Sequence, residues 1–275
     1  MKLPLLTKEL AYRIEYSDYE VMSGRMKAIG RRTGNPFQVE FAPFGEAVAL
    51  SAQHLPSDFN KLWEFGPRDL SRLSEIIRYY DTRNPDFGLD LIPARYDGRI
   101  ALALQDKGFY QAGFHTAFYG IPYESDASIP RAVSIGRCGA DQAGVFAELF
   151  HRSLELPADI AENEESFRIL LEDPCWSLYV GYFEGVPASF SIMYTSHDGV
   201  ACCGMAGTLP EFRGRGLQSA MLAARLQDAK NQGCRLVTAQ SEYGTSSFRN
   251  LLKAGFHVAY TKTVWRRQLG NEVEF

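Results

Sequence analysis

The stretch FRGRGLQSAM, residues 212–221, places two glycines and two arginines between a predicted strand and a predicted helix. The strand is predicted over ACCGMAGTL, 201–209, and the helix over LQSAMLAARLQDAK, 217–230. A helix N-terminus presents unpaired backbone N–H groups and the positive end of the helix dipole, and glycine lets a phosphate approach those donors closely. The stretch is therefore a candidate phosphate-binding turn, although an ordinary strand-to-helix turn would have a similar composition.

Two nucleotide-binding patterns fit this turn incompletely. A Walker loop requires Gly-Lys-Ser/Thr at its end, and no lysine stands there. A dinucleotide fingerprint is matched in part by Gly214, Gly216 and Ser219, with Glu242 further on. Only about 55 residues follow the turn, which is short for a second mononucleotide half. A dinucleotide-binding domain stays open as an alternative.

The segments around the turn predict a regular order of strands and helices. Apolar residues alternate on both sides of Glu184-Gly185, which predicts a β-hairpin. Gly233 is a natural end for the helix that begins at Leu217. The remaining predictions are a strand at 131–137, helices at 141–155 and 165–173, a turn at 197–199, a strand at 234–240, a helix at 246–255 and a strand at 256–265.

The chain also resembles itself at an offset of 147 residues. LALQDKGF, 102–109, aligns with RNLLKAGF, 249–256, and the apolar segment FGLDLI aligns with CRLVTA. Amphipathic helices are predicted at matching places, over 69–81 and 217–230, each after a strand candidate, KLWEF in the first half. We interpret this as a tandem duplication of one α/β unit; a chance likeness of two generic β-α-β stretches is the alternative.

The order βααββ, strand, Arg-Gly-Arg-Gly, helix, strand, helix, Gly-Phe, strand resembles the GNAT superfamily of N-acetyltransferases. The family's signature, Arg/Gln-x-x-Gly-x-Gly/Ala, is matched from Arg213 to Leu217, and Gln218 stands in the sixth place. The resemblance implies an α/β fold with a mixed sheet and two tandem domains. Residues 131–275 would form the acetyltransferase domain. Residues 1–125 would form a degenerate copy, since the turn EFGPRDLSRL has one glycine and a proline.

The resemblance implies acetyl-CoA as co-substrate, no metal, and an amine of a small molecule or peptide as acceptor. The family binds the thioester oxygen through a backbone N–H of the strand before the loop, which corresponds to Thr208 or its neighbours. Gly204 and Gly207 would be explained by a bulge or by a close backbone approach to the ligand, and glycines tolerated for packing are the alternative. The predicted cofactor-binding residues are Gly207, Thr208, Leu209, Arg213, Gly214, Arg215, Gly216, Leu217, Gln218, Ser219 and Ser247.

The catalytic residues depart from the family's pattern. Where the family often has a tyrosine four residues before Gly-Phe to protonate the leaving thiolate, this chain has Leu251. Tyr243 and Glu242 are the nearest replacements along the sequence, and we predict them as catalytic residues. A non-catalytic acyl-CoA-binding sensor is the alternative. Ser246 and Ser247 are predicted to cap the helix that they open.

Composition excludes several other classes of protein. The chain has 275 residues with 29 Lys and Arg against 33 Asp and Glu, which does not favour nucleic acid as a partner. Five cysteines without a CxxC pair predict neither disulfides nor a zinc site.

The N-terminus has only four consecutive apolar or proline residues, 3–6, so no membrane segment and a cytoplasmic location are expected. His151, His197 and His257 are expected to be structural, and monomer and homodimer both stay open.

Overall fold

The computed structural model describes residues 2–124, 129–156 and 163–269. Its helices are α1 Lys8–Gly30, α2 Leu73–Asp81, α3 Gly98–Asp106, α4 Ala143–Leu154, α5 Glu164–Leu171, α6 Leu217–Asn231 and α7 Ser246–Lys253. Its strands are β1 Glu40–Phe44, β2 Ala47–Ser51, β3 Lys61–Trp63, β4 Gly88–Leu91, β5 Phe109–Gly120, β6 Val133–Arg137, β7 Trp176–Phe183, β8 Val186–Thr195, β9 Val200–Thr208, β10 Leu236–Glu242 and β11 His257–Arg267. The fold is α/β with mixed sheets, as predicted.

The chain forms two compact units, each assembled from segments that are distant in sequence. The first unit consists of the chain up to Ala28 and of Ala117–Ala259. The second consists of Ile29–Thr116 and the described residues from Tyr260 on. The predicted domains, 1–125 and 131–275, are based on the sequence duplication, and their boundaries differ from those of the two compact units. They stay a prediction.

In the first unit, strands β10, β9, β8, β7 and β6 lie side by side in that order. They pair antiparallel except for β9 and β10, which are parallel. The predicted hairpin is confirmed as β7 and β8, whose turn residues Glu184 and Gly185 have φ angles of 49° and 80°. Positive φ at both turn positions is the conformation that matches the twist of the two strands.

Helices cover both faces of this sheet. Helices α4 and α5 bury an aromatic cluster against one face, which includes Phe146, Phe150, Phe167 and Phe190. Helices α6 and α7 pack on the other face against Val237 and its neighbours. Each strand therefore carries apolar side chains in both directions, as expected of a sheet with helices on both faces.

Helix α1 has no counterpart among the predicted elements. It packs on the α4 side of the first unit, where Val21 joins the aromatic cluster and the hydroxyls of Ser17 and Thr238 lie 2.8 Å apart. Gly24 lies so close to the Trp176 ring that a Cβ at this position would be 2.4 Å from it. Buried residues occur on several sides of α1, so its sequence lacks the single apolar stripe that predicts a helix.

In the second unit, strands β1, β2, β3, β4 and β11 lie side by side in that order. The β3 and β4 strands are parallel and the other pairs are antiparallel. The core lies between this sheet and helices α2 and α3, where the Tyr80 and Phe87 rings stack 3.8 Å apart. The helix predicted over 69–81 begins instead as a 3-10 helix, Pro67–Arg72, and becomes α-helical at Leu73.

Candidate active site

The centre of the first unit contains a pair of parallel strands that separate. The pairing between β9 and β10 ends where Ala239 lies beside Cys203. Beyond that point β9 continues to Thr208 and β10 to Glu242 without pairing to each other. The unpaired edges of the two strands leave backbone N–H and C=O groups available to a ligand that lies between them.

Strand β9 bulges where this separation begins. Cys203 pairs with Met193 and Ala206 pairs with Ser191, so Gly204 and Met205 together face the single residue Ile192. A bulge leaves one residue of the longer strand outside the regular ladder. This confirms the bulge that was expected from Gly204, at a point four residues before Thr208.

A buried arginine holds this bulge in place. Arg225 of α6 is 4% exposed, and its Nη1 donates to the carbonyl oxygens of Ile192, at 3.4 Å, and of Gly204, at 3.3 Å. Its Nε donates to the Met221 carbonyl oxygen. Sequence reasoning missed Arg225, although an arginine within the buried stripe of α6 is a signal that could have indicated it.

Gly207 has a steric explanation. A Cβ at this position would lie 2.5 Å from Cε1 of Phe190 and 2.7 Å from Cβ of Ser153, and both residues are buried. Any larger side chain would push β9 away from α4. Packing against the protein's own core, which was the alternative to a close approach to the ligand, therefore accounts for Gly207.

The loop between β9 and α6 has the backbone conformation that the sequence suggested. Gly214 and Gly216 have φ angles of 77° and 85°, which favour glycine, and they flank Arg215. Gly216 is the N-cap of α6 and provides no side-chain acceptor. Ala220 is the residue whose N–H bonds back to the Gly216 carbonyl oxygen. The N–H groups of 217–219 thus lie at a helix N-terminus without a side-chain cap, where the helix dipole favours an anion.

The two arginines of the loop contact the protein itself. Arg213 donates to the carbonyl oxygens of Thr208, at 3.2 Å, and Ser153, at 3.4 Å. The guanidinium of Arg215 lies 4.6 Å from the centre of the Phe183 ring and 5.7 Å from that of Phe212. These contacts fix the loop to the end of β9 and to the β7 end of the sheet.

Gln218 has a defined role in the geometry of the loop. Its Nε2 donates to Oγ1 of Thr208 at 2.7 Å. The side chain that departs from the family's preference for glycine or alanine thus links the first turn of α6 to the last residue of β9. Leu209 and Leu217 are buried in the adjoining cores, whereas Ser219 is exposed in the first turn of α6.

The predicted catalytic residues lie on the protein surface at the end of β10. Tyr243 is 71% exposed, and its ring packs edge-on against Phe248 at 5.1 Å. Glu242 is exposed beside it. Leu251, which replaces the family's tyrosine, is buried against α6 in the core of this face. No hydroxyl is therefore present at that place.

The capping prediction at α7 is wrong. Thr245 is the N-cap, because its Oγ1 accepts a hydrogen bond from the Phe248 N–H at 3.2 Å. A threonine satisfies this N–H group as well as a serine does. Ser246 and Ser247 instead stand exposed in the first turn of α7.

Other reactive groups offer little chemistry. Burial raises the pKa of Cys202 to about 12, so this residue is a thiol at neutral pH and a poor nucleophile. The described segments of the chain contain no group of three or more His, Cys, Asp or Glu side chains arranged to hold a metal ion. None of the helices in those segments is both long and apolar enough to cross a membrane.

Comparisons with known proteins agree with this geometry. Residues 145–256 match the model of the acetyltransferase (GNAT) family. The structure is similar to a GCN5-related N-acetyltransferase from Kribbella flavida, with a TM-score of 0.67 and 17% identity over 91% of this chain and 95% of that one. No curated protein sequence is significantly similar to the chain.

Two further solved structures have similar folds. A GCN5-related N-acetyltransferase from Sphaerobacter thermophilus has a TM-score of 0.59 and 17% identity over 84% of this chain and 82% of that one. A tandem GNAT protein from the clavulanic acid biosynthesis pathway has a TM-score of 0.58 and 15% identity over 93% and 97% of the two chains. At such identities the likeness concerns the fold alone.

Proposed function

We propose that this protein is an N-acetyltransferase that moves an acetyl group from acetyl-CoA directly to an amine of a small molecule or peptide, because residues 145–256 match the model of the acetyltransferase (GNAT) family. Acyl transfer is the general activity that the family supports. The CoA donor rests on the geometry of the first unit, and the amine acceptor rests on the match to the family model.

One observation carries the CoA assignment, namely the uncapped N-terminus of α6. Its first-turn N–H groups follow Gly214 and Gly216, both in the left-handed conformation, and no side chain of the described residues caps them. A pyrophosphate would accept these hydrogen bonds and would be stabilised by the helix dipole. Gly214 leaves space on the outer side of the loop, because no atom lies within 4 Å of where its Cβ would be.

The separating strands suit the rest of the cofactor. An acyl-pantetheine arm that enters between β9 and β10 would meet the bulge at Gly204 and Met205. We assign the oxyanion donor to a backbone N–H of this bulge, with Thr208 and Leu209 nearer to the pyrophosphate. When the amine nitrogen attacks the thioester carbon, such a donor would stabilise the charge that develops on the carbonyl oxygen.

Two protons must move for the transfer to be complete. The amine loses a proton as the C–N bond forms, and the sulfur of CoA leaves as a thiolate when the C–S bond breaks. A thiol has a reference pKa of about 8.5, so the thiolate leaves tolerably well even without an acid. Glu242 and Tyr243, on the surface at the end of β10, are our proposed carriers of these protons.

The contrast between the two halves supports a single CoA site. In the turn of the first half, the buried carboxylate of Asp69 accepts hydrogen bonds from the N–H groups of Gly66, at 3.1 Å, and Glu46, at 3.0 Å. The carboxylate of Asp69 thus already places an anion in this turn. This favours our interpretation of residues 1–125 as a degenerate, structural copy.

Calorimetric titration with acetyl-CoA, CoA and NAD, followed by thiol-release assays across a panel of amines, tests the proposal. We expect acetyl-CoA binding, no NAD binding, and thiol release that depends on at least one amine. Tyr243→Phe and Glu242→Gln should lower kcat in the same assay if these residues carry protons.

Two outcomes of these experiments would favour a different function. Binding of acetyl-CoA without thiol release for any amine would favour the non-catalytic sensor, which the buried Leu251 also suggests. Binding of NAD without binding of CoA would favour the dinucleotide alternative and would contradict the proposed function.

A further inference from the structure

Gln240 is a polar side chain without a partner at the point where β9 and β10 separate. It directly follows Ala239, the last residue of β10 that pairs with β9. Both its Oε1 and its Nε2 are buried, and neither forms a hydrogen bond within the described structure, although the residue as a whole is only half-buried. Extending the register by one residue places Gln240 beside Gly204, at the bulge.

The side chain of Gln240 lies on the α1 side of the sheet. Side chains alternate along a strand, so Gln240 shares a face with Thr238. Thr238 contacts Ser17 of α1, whereas Ala239 packs in the core formed with α6 and α7. Gln240 therefore belongs to the face opposite to α6, whose N-terminus is the proposed pyrophosphate site.

An unpaired buried amide is costly and unusual. Buried polar groups in proteins almost always have a hydrogen-bond partner, and one left unpaired costs roughly 1–3 kcal/mol. Rotation of the Gln240 amide toward a ligand would break no hydrogen bond, because the amide has none in this state. Such a group is well suited to bind a ligand that supplies both a donor and an acceptor.

We propose that Gln240 is a specificity-determining residue that binds the acyl acceptor, and that the acceptor is peptide-like, with an N–H and a C=O close to its reacting amine. A primary amide offers one acceptor and two donor hydrogens in one plane. An extended residue in a β-ladder exchanges hydrogen bonds through its own N–H and C=O, so it complements this amide with two bonds. This inference rests on the proposed function and specifies its acceptor.

The position of Gln240 favours the acceptor over the pantetheine arm as its partner. The arm would approach from the N-terminus of α6. On the face of β10 toward α6 and α7, Val237 and Ala239 are apolar, and the hydroxyl of Ser241 already lies 3.0 Å from that of Thr245. Gln240 faces the other way, toward α1, and its amide is buried, so the side chain has to rotate to meet an acceptor while the thioester occupies the gap beside Gly204. Direct transfer then requires the acceptor amine to come close to the thioester carbon at this gap.

The test compares wild type with Gln240→Met, which keeps the length of the side chain and removes both polar groups. Two acceptors are used: an alanyl dipeptide amide with a free amine, and n-propylamine, which lacks the peptide unit. We expect kcat/KM for the dipeptide amide to fall about tenfold or more and that for n-propylamine to change by less than about twofold. The dissociation constant of CoA should not change.

Thermal unfolding separates this role from a structural one. Since Gln240 has no hydrogen bond to lose, Gln240→Met should unfold at the same temperature as wild type or higher. Gln227→Met, which removes a surface amide that contacts Asn231, is the matched control and should leave both acceptors unaffected.

If Gln240→Met loses kcat/KM equally for both acceptors, or binds CoA more weakly than wild type does, the assignment of Gln240 to the acceptor is overturned. If wild type releases no thiol with either amine, the proposed function fails on its own. The assignment is then decided by calorimetric titration of the dipeptide amide into CoA-saturated protein. Weaker binding by Gln240→Met would support it, and equal binding or no binding to either protein would contradict it.

Discussion

At the scale of single residues, Gly207 shows the strongest constraint on β9. We predict that Gly207→Ala lowers the free energy of unfolding by about 1–3 kcal/mol, because its Cβ would overlap Phe190 and Ser153. Urea denaturation measures the change. Gly136→Ala in β6 is the matched control, since its Cβ would meet an atom of Tyr182 at an ordinary 3.7 Å. Equal stability of the two variants would refute the steric explanation.

The sequence alone could predict which residues of the site are unusual. It could predict the residues to which they form hydrogen bonds only in part. Glycines inside a predicted strand and before a helix were recognisable because glycine is unfavourable in one place and permissive in the other. That Gln218 donates to Thr208 could not be predicted, because the contact joins two elements whose orientation depends on tertiary packing. The same holds for the hydrogen bonds of Arg225 to Ile192 and Gly204.

At the scale of elements, the turn between β3 and α2 owes its conformation to Asp69, which is 2% exposed. We predict that Asp69→Ala lowers the free energy of unfolding by about 2 kcal/mol or more, because the N–H groups of Gly66 and Glu46 lose their acceptor. Urea denaturation measures this loss. Asp106→Ala, at the exposed end of α3, is the control and should change stability little.

The same variant bears on the role of the first half. Because the proposed CoA site lies at α6, Asp69→Ala should bind acetyl-CoA as tightly as wild type in calorimetric titrations. A large loss of affinity in a folded Asp69→Ala protein would mean that the turn between β3 and α2 takes part in binding.

Helices and strands in which apolar residues recur at regular spacing could be predicted from the sequence, and α1 could not. The hairpin of β7 and β8 follows from alternation and a Glu-Gly turn, and α6 from its glycine boundaries. Helix α1 is buried on several sides, so its sequence shows no single stripe. The 3-10 start of α2 depends on the hydrogen bonds of Asp69, which periodicity does not reveal.

At the scale of the whole molecule, both halves contain a parallel pair of strands joined by a helix: β3 and β4 through α2, and β9 and β10 through α6. This common order supports the duplication that the offset of 147 residues suggested. The first compact unit includes the chain up to Ala28, and the second includes the described residues from Tyr260 on. The sequence repeat could not reveal this division, because both terminal segments lie outside the aligned residues.

The measurement that tests the account most directly is the affinity for CoA of Ser219→Asp, determined by calorimetric titration. Ser219 is exposed in the first turn of α6, where an added carboxylate stabilises the helix but repels a pyrophosphate. We predict unchanged or higher thermal stability and an affinity reduced about tenfold or more, whereas Ser219→Asn should bind nearly as wild type does. A Ser219→Asp protein that binds CoA as tightly as wild type would contradict the pyrophosphate site at α6.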